Sequence, residues 1–93
     1  MGMRYVISLH HIVTTRDIPK LDAFWRHTIR DGIREKLASK PELYGKPLRN
    51  TLKGCWGLRV GDYRVIYKIE TSSVRIIAVI HRSRGYGEVA SRV

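Results

Sequence analysis

The sequence predicts an α+β domain: a small antiparallel β-sheet packed by N-terminal helices. Three observations carry this. The segment from Leu58 to Tyr67 alternates in character and breaks at Gly61-Asp62, as two strands joined by a two-residue turn do. Leu21, Trp25, Ile29, Ile33 and Leu37 recur every four residues, which draws one buried stripe along a helix. The apolar run from Ser73 to His81 then supplies a further strand. No repeat, low-complexity tract or linker interrupts the chain, so residues 1–93 are expected to form one domain.

In order along the chain, Met3 to Leu9 reads as a strand. His10 to Arg16 fits either a strand end with a loop or a short first helix. Asp17-Ile18-Pro19 suits the start of the main helix, since proline is tolerated in a first turn and an acid favours it. That helix is expected over Leu21 to Leu37, with Phe24 beside the stripe. Arg26, Arg30 and Arg34 form a second, basic row, and Asp22 is placed to support Arg26 one turn on. Gly32 costs a helix interior about 1 kcal/mol relative to alanine, which a close approach to the sheet would explain. Ser39-Lys40-Pro41 ends the helix, and Glu42 to Pro47 reads as a loop. Leu48 to Gly54 is a connector, made basic with its surroundings by Lys46, Arg49 and Lys53. Strands are expected over Cys55–Val60, Tyr63–Glu70 and Ser73–His81. Gly85-Tyr86-Gly87 breaks the pattern before a short tail with room for one helical turn.

The 93 residues carry 18 Lys and Arg against 8 Asp and Glu, a formal charge of +10. Such an excess is self-repulsive and calls for a polyanionic partner, with nucleic acid first and an acidic protein second. No apolar run approaches a membrane span and no secretory signal is visible, so no membrane partner is expected. Cys55 is the one cysteine, which excludes an internal disulfide and fits a reducing, cytoplasmic setting. His10-His11 does not suggest a metal: neighbours on a strand point opposite ways, and no third ligand accompanies them.

A glycine at the first central position is what a type II′ turn requires. With Gly61 and Asp62 turning, Arg59 faces Arg64, and like charges directly opposite are unfavourable unless an anion sits between them. The other face of the hairpin carries Trp56, Leu58 and Val60 against Tyr63, Val65 and Tyr67, a core face. Parity decides what joins the arginines. A three-residue turn at Thr71-Ser72-Ser73 sets Glu70 against Val74 and Arg64 against Ile80, bringing Arg82 to their face. A two-residue turn brings His81 instead.

With these elements placed, the chain resembles the RelE/ParE toxin superfamily of bacterial and archaeal toxin–antitoxin systems. The residues concerned are Asp17-Ile18-Pro19-Lys20-Leu21, Gly45-Lys46-Pro47-Leu48, Leu52-Lys53-Gly54-Cys55-Trp56, Leu58 to Tyr67, His81-Arg82 and Tyr86, in the family's order. The likeness is RelE-like rather than ParE-like. It implies a RelE-like (microbial RNase-like) fold and a toxin that cuts mRNA in the ribosomal A site. It also implies neutralisation by an acidic antitoxin, with the free toxin a monomer and no cofactor. Position by position, the family's active-site arginines fall on Arg64 and Arg82 and its tyrosine on Tyr86. RelE carries two lysines on the strand that here begins Cys55-Trp56-Gly57; this chain has none there.

Cleavage of RNA by its own 2′-hydroxyl needs proton transfer and stabilisation of charge on phosphorus. Arginine suits the second task and not the first. Arg64 and Arg82, assisted by Arg59, are therefore candidates for charge stabilisation. Tyr86 is a candidate for proton transfer or base stacking, and His81 is the other proton-transfer candidate. Lys46, Arg49 and Lys53 are candidate contacts to RNA backbone.

Overall fold

The computed structural model describes residues 4–93. Five strands form one sheet in the spatial order β1-β5-β4-β3-β2. They are β1 (Val6–Leu9), β2 (Lys46–Pro47), β3 (Trp56–Val60), β4 (Tyr63–Ile69) and β5 (Ser73–His81). The helices are α1 (Ala23–Gly32), α2 (Pro41–Tyr44) and α3 (Gly87–Ala90). The sheet is antiparallel except at β1, which runs parallel to β5. The expected first strand is thus shorter, and its Met3 lies outside the described residues.

His10 to Arg16 resolves toward helix, as a wide π turn over Val13–Asp17. Asp17 does not open the main helix. Pro19 instead sits within a separate 3-10 turn, Ile18–Lys20, and the chain extends at Leu21. The main helix starts at Asp22, whose carboxylate accepts from the Trp25 N–H at 3.0 Å. Asp22 therefore caps the helix rather than pairing with Arg26, which donates to the Leu21 carbonyl at 2.9 Å. Past Gly32 the helix widens into a π turn, Ile33–Leu37. The widening keeps Ile33 and Leu37 buried with Ile29 and Leu21, so the stripe survives the change of geometry. The Glu42–Pro47 region, expected as a loop, holds α2 and the short edge strand β2.

The hairpin turn has Gly61 at φ +58, the left-handed value a type II′ turn needs at that position. The site also demands glycine for space, because a Cβ there would overlap the Trp25 ring. Trp25 lies between Phe24 and Tyr63 with ring centroids 5.2 Å from each, which pins α1 to the hairpin tip.

Both faces of the sheet are covered. Helical residues pack with Leu58, Val65, Tyr67, Val74, Ile76 and Val79 on one face. The opposite face carries a second cluster of Ile66, Ile77, Ala78 and Ile80 under Leu52, Cys55 and Val89. The connector and α3 supply this cover because the chain returns over the sheet after β2 and again after β5.

The turn between β4 and β5 departs from expectation. The Glu70 N–H donates to Ser73 O at 2.8 Å, so only Thr71 and Ser72 turn. Ile69 faces Val74 and Tyr67 faces Ile76. The register then shifts: Ile66 faces Ala78 and Arg64 faces Ile80, leaving Ile77 as the inserted residue of a β-bulge. The bulge restores the parity that the shorter turn would have reversed.

Among the described residues the outer edge of β5 beyond Ile76 has no partner strand, because β1 ends at Leu9. Two side chains occupy that edge. Asp17 Oδ2 accepts from the Val79 N–H at 2.9 Å, and Arg92 Nη1 donates to the Ile77 carbonyl at 3.2 Å. Arg92 also grips Asp17 with both terminal nitrogens, at 2.6 and 3.1 Å. These side chains are 5% and 7% exposed. Removing one partner of such a buried pair costs about 3–5 kcal/mol.

Tyr67 is fully buried and donates to the Pro41 carbonyl at 2.6 Å. Burial pushes its hydroxyl from 10.0 up to about 12. The folded state therefore holds the proton more tightly than the unfolded chain. The associated stability is intact below pH 10 and is lost as pH rises toward 12. Tyr67→Phe is expected to lower unfolding free energy by about 1 kcal/mol at pH 7. It should also flatten the alkaline loss of stability, both measured by urea denaturation across pH 7–11.

Candidate nucleic-acid interface

Arg59 lies directly opposite Arg64 in the β3–β4 ladder. Residues so paired have Cβ atoms about 4.5–5.5 Å apart. Arg64 is half-buried and Arg59 exposed. Among the described residues no carboxylate comes within ion-pair distance of either. Asp62 and Glu70 do not separate them: Asp62 stands beside Arg82, and Glu70 accepts from the Ser73 hydroxyl.

Tyr86 comes to this pair from the segment after β5. Arg64 Nη1 donates to the phenol oxygen at 2.6 Å, and the guanidinium carbon lies 5.7 Å from the ring centroid. Because the phenol oxygen accepts this bond, its own proton is free to be donated elsewhere. Tyr86 sits at the N-terminal end of α3, and Val89 of that turn is fully buried in the second cluster.

The bulge puts Ile80 on the face of Arg64 and His81 on the other, and the same alternation carried one residue past β5 puts Arg82 with Ile80. His81 meets the Tyr63 ring edge-on with centroids 5.3 Å apart, and its Nδ1 lies 2.7 Å from the Ser83 hydroxyl. It is not brought to the arginine pair. Arg82 stands at the end of β5, where its backbone N–H donates to Asp62 O at 2.8 Å. Its Nε is 3.8 Å from the Asp62 carboxylate, and these side chains are 68% and 55% exposed. An exposed pair of this length contributes little and is readily exchanged for another anion.

Lys46 faces Gly57, which puts it on the same face as Arg59 at the sheet's edge. Arg49 and Lys53 are exposed on the connector over that face. One pair escaped the sequence reading. Lys68 stands opposite Arg75, a second like-charge pair on this face, legible only once the two-residue turn is known. Cys55 is fully buried, and burial pushes its thiol above the ordinary value. The His10 and His11 rings do not diverge but stack at 4.7 Å. Burial, with His11 and the charges of Arg75 and Arg92, holds His10 below its ordinary value.

The fold and this face define a small, strongly basic α+β protein. The family model for the ParE toxin of type II toxin–antitoxin systems (parDE) matches residues 14–86. The chain belongs to this family, and it is RelE-like within the RelE/ParE superfamily. It is 35% identical to Toxin RelE of Mycobacterium tuberculosis over 83% of this chain and 86% of that protein. To Toxin RelG of the same organism it is 42% identical over 54% of this chain and 60% of that protein. Among solved structures it resembles a chain of the toxin–antitoxin complex RelBE2 from M. tuberculosis. The TM-score is 0.80 at 30% identity, covering 88% of this chain and 95% of that one. A mutant of E. coli toxin RelE in the free state shares the fold, with a TM-score of 0.66 at 22% identity over 97% and 94% of the two chains.

Arg59→Thr relieves a like-charge pair on an exposed ladder position. It is expected to raise folding stability by about 0.2–1 kcal/mol. Binding to a 2′-O-methyl oligoribonucleotide should weaken, with the log–log salt slope falling by about 0.7 for the lost backbone contact. Urea denaturation and a salt titration of binding check the two together.

Proposed function

We propose that this toxin is a ribosome-dependent mRNA endoribonuclease that inhibits translation in the cytoplasm. The Arg64–Tyr86 contact carries this reading: it unites a phosphate-binding group with a proton-transfer group on a face that also holds Arg59 and Arg82. Likeness to RelE-named toxins supports it.

The scissile phosphate sits against Arg64 and Arg82, with Arg59 neutralising the adjoining backbone. The 2′-hydroxyl gives up its proton to solvent water as its oxygen attacks phosphorus and the bond to the 5′-oxygen breaks. The products are a 2′,3′-cyclic phosphate and a free 5′-hydroxyl. Guanidinium donors stabilise the extra negative charge of the pentacoordinate state. Tyr86, its oxygen fixed by Arg64, donates its proton to the departing 5′-oxygen. Lys46, Arg49 and Lys53 contact backbone on either side, without base specificity. His81 takes no part, since the bulge turns it to the opposite face.

The antitoxin partner is an acidic chain laid along the groove between β1 and α1. The groove has an apolar floor of Ile7, Val13 and Ile33 and a wall formed by Arg26, Arg30 and Arg34. An amphipathic segment with carboxylates facing that row satisfies both surfaces.

A second reading is a ParE-like poison of DNA gyrase. It is favoured by the ParE family match and by the missing strand lysines. Mapping transcript 5′ ends after induction separates the two: cuts inside translated codons are expected, whereas DNA damage with intact mRNA identifies gyrase. Arg64→Ala and Arg82→Ala are each expected to slow cleavage by about 10²–10³-fold and relieve growth arrest, with thermal unfolding still cooperative. Full toxicity in both variants contradicts the assignment.

A further inference from the structure

The basic face explains Arg64 but not why Tyr86 stays beside it. Tyr86 lies in a segment with little regular structure: Gly85 precedes it, Gly87 follows, and α3 is a single turn. Attachments of different kinds fix this segment. Tyr86 meets Arg64, Val89 is buried in the second cluster, and Arg92 is locked on Asp17. The first is the contact to be explained. The second is apolar and directionless. The third is directional, buried and outside the proposed site, whereas the pairs of Glu88 with Arg16 and Arg84 are long and exposed.

The Asp17–Arg92 attachment is over-determined. Both Asp17 oxygens and both terminal Arg92 nitrogens are engaged, and each residue also binds the backbone of β5 next to the inserted Ile77. Glu88 adds to it, with its carboxylate 3.6 Å from Arg92, 3.7 Å from Arg16 and 3.8 Å from Arg84. The same clamp therefore touches the bulge that orients Arg82 and the segment that presents Tyr86. The pair closes the stretch of the β5 edge that β1 leaves open, past Ile76. It closes six residues beyond Tyr86, on the strand that leads into Arg82.

We propose that Asp17 and Arg92 are positioning residues for cleavage, holding Tyr86 on Arg64 by clamping the C-terminal segment to the bulged edge of β5. The catalytic consequence rests on the ribonuclease reading; the positioning itself does not. An ion pair that acts through Tyr86 affects the rate of the bound complex rather than its formation, because the substrate-facing arginines stay on β3, β4 and β5.

The test uses the full chain. Asp17→Asn removes a charge, and Arg92→Lys keeps the charge but loses the two-pronged grip, which guards against failure to fold. Each is assayed on programmed ribosomes, alone and combined with Tyr86→Phe, with rates expressed per folded molecule. Deuterium exchange is followed over residues 86–92, and contacts between Arg64 and Tyr86 by NMR. Arg92→Lys is expected to lower kcat by about 10–100-fold with KM unchanged. Exchange over 86–92 should rise while β3 and β4 stay protected. In the Tyr86→Phe background the same change should slow cleavage by no more than about 2-fold. Native kcat in folded Arg92→Lys, losses that multiply in full with Tyr86→Phe, or unaltered exchange over 86–92 would each overturn the proposal. If the native chain cuts no mRNA, the ribonuclease reading falls. The clamp is then judged on the NMR contact alone: its loss in Arg92→Lys upholds the positioning, and its survival refutes it.

Discussion

One inserted residue, Ile77, decides which side chains share a face of this sheet. Before it, β5 is registered so that Val74 and Ile76 point into the helix-side core with Tyr67 and Ile69. After it, Ala78 and Ile80 lie on the opposite face with Ile66. Without the shift His81 would stand on the arginine face and Arg82 behind the sheet. A bulge disrupts the ladder locally and leaves unpaired backbone. Asp17 and Arg92 take up the neighbouring edge groups, the Val79 N–H and the Ile77 carbonyl. The placement of Arg82 and the closure of the β5 edge are thus parts of one arrangement.

Charge is distributed with the same economy. The chain has far more cations than anions, and its carboxylates are not spread evenly among them. Asp17 serves Arg92, Glu88 lies among Arg16, Arg84 and Arg92, and Asp62 stands near Arg82 at the surface. Arg59 and Arg64 face each other with no acid in reach among the described residues. An opposed pair of like charges on a ladder is unfavourable, whereas the same pair around a phosphate becomes two favourable contacts. In the proposed reading a nucleic-acid backbone removes this repulsion.

Much of the architecture was legible because it depends on local rules. Gly61-Asp62 specified its turn, the hairpin register followed from it, and the four-residue stripe located the helix core. The start of that helix was misread because Pro19 suits a 3-10 turn as well as an α-helix. The cap at Asp22 competes with pairing to Arg26, and the cap prevails because it satisfies an orphan backbone donor. The β4–β5 turn was expected to be one residue longer, and the bulge was not foreseen. These two errors cancel, so Arg64 faces Ile80 as expected for a reason that was not expected. A bulge has no strong local signature when every residue around it is apolar, as in Ile76-Ile77-Ala78-Val79. The parallel pairing of β1, the second core under the connector and the clamp between Asp17 and Arg92 are long-range. Residues 75 positions apart leave no periodic trace.

Together these features describe a toxin whose basic face is made by sheet register, with Tyr86 carried to it by a clamped tail. The most direct test is an NMR titration of the free chain with a short 2′-O-methyl oligoribonucleotide, observing arginine Nε–H and tyrosine ring signals. The Arg59, Arg64, Arg82 and Tyr86 signals are predicted to move together with one affinity, and salt should reverse the movement. Shifts confined to Arg26, Arg30 and Arg34, with the sheet arginines silent, would contradict the account.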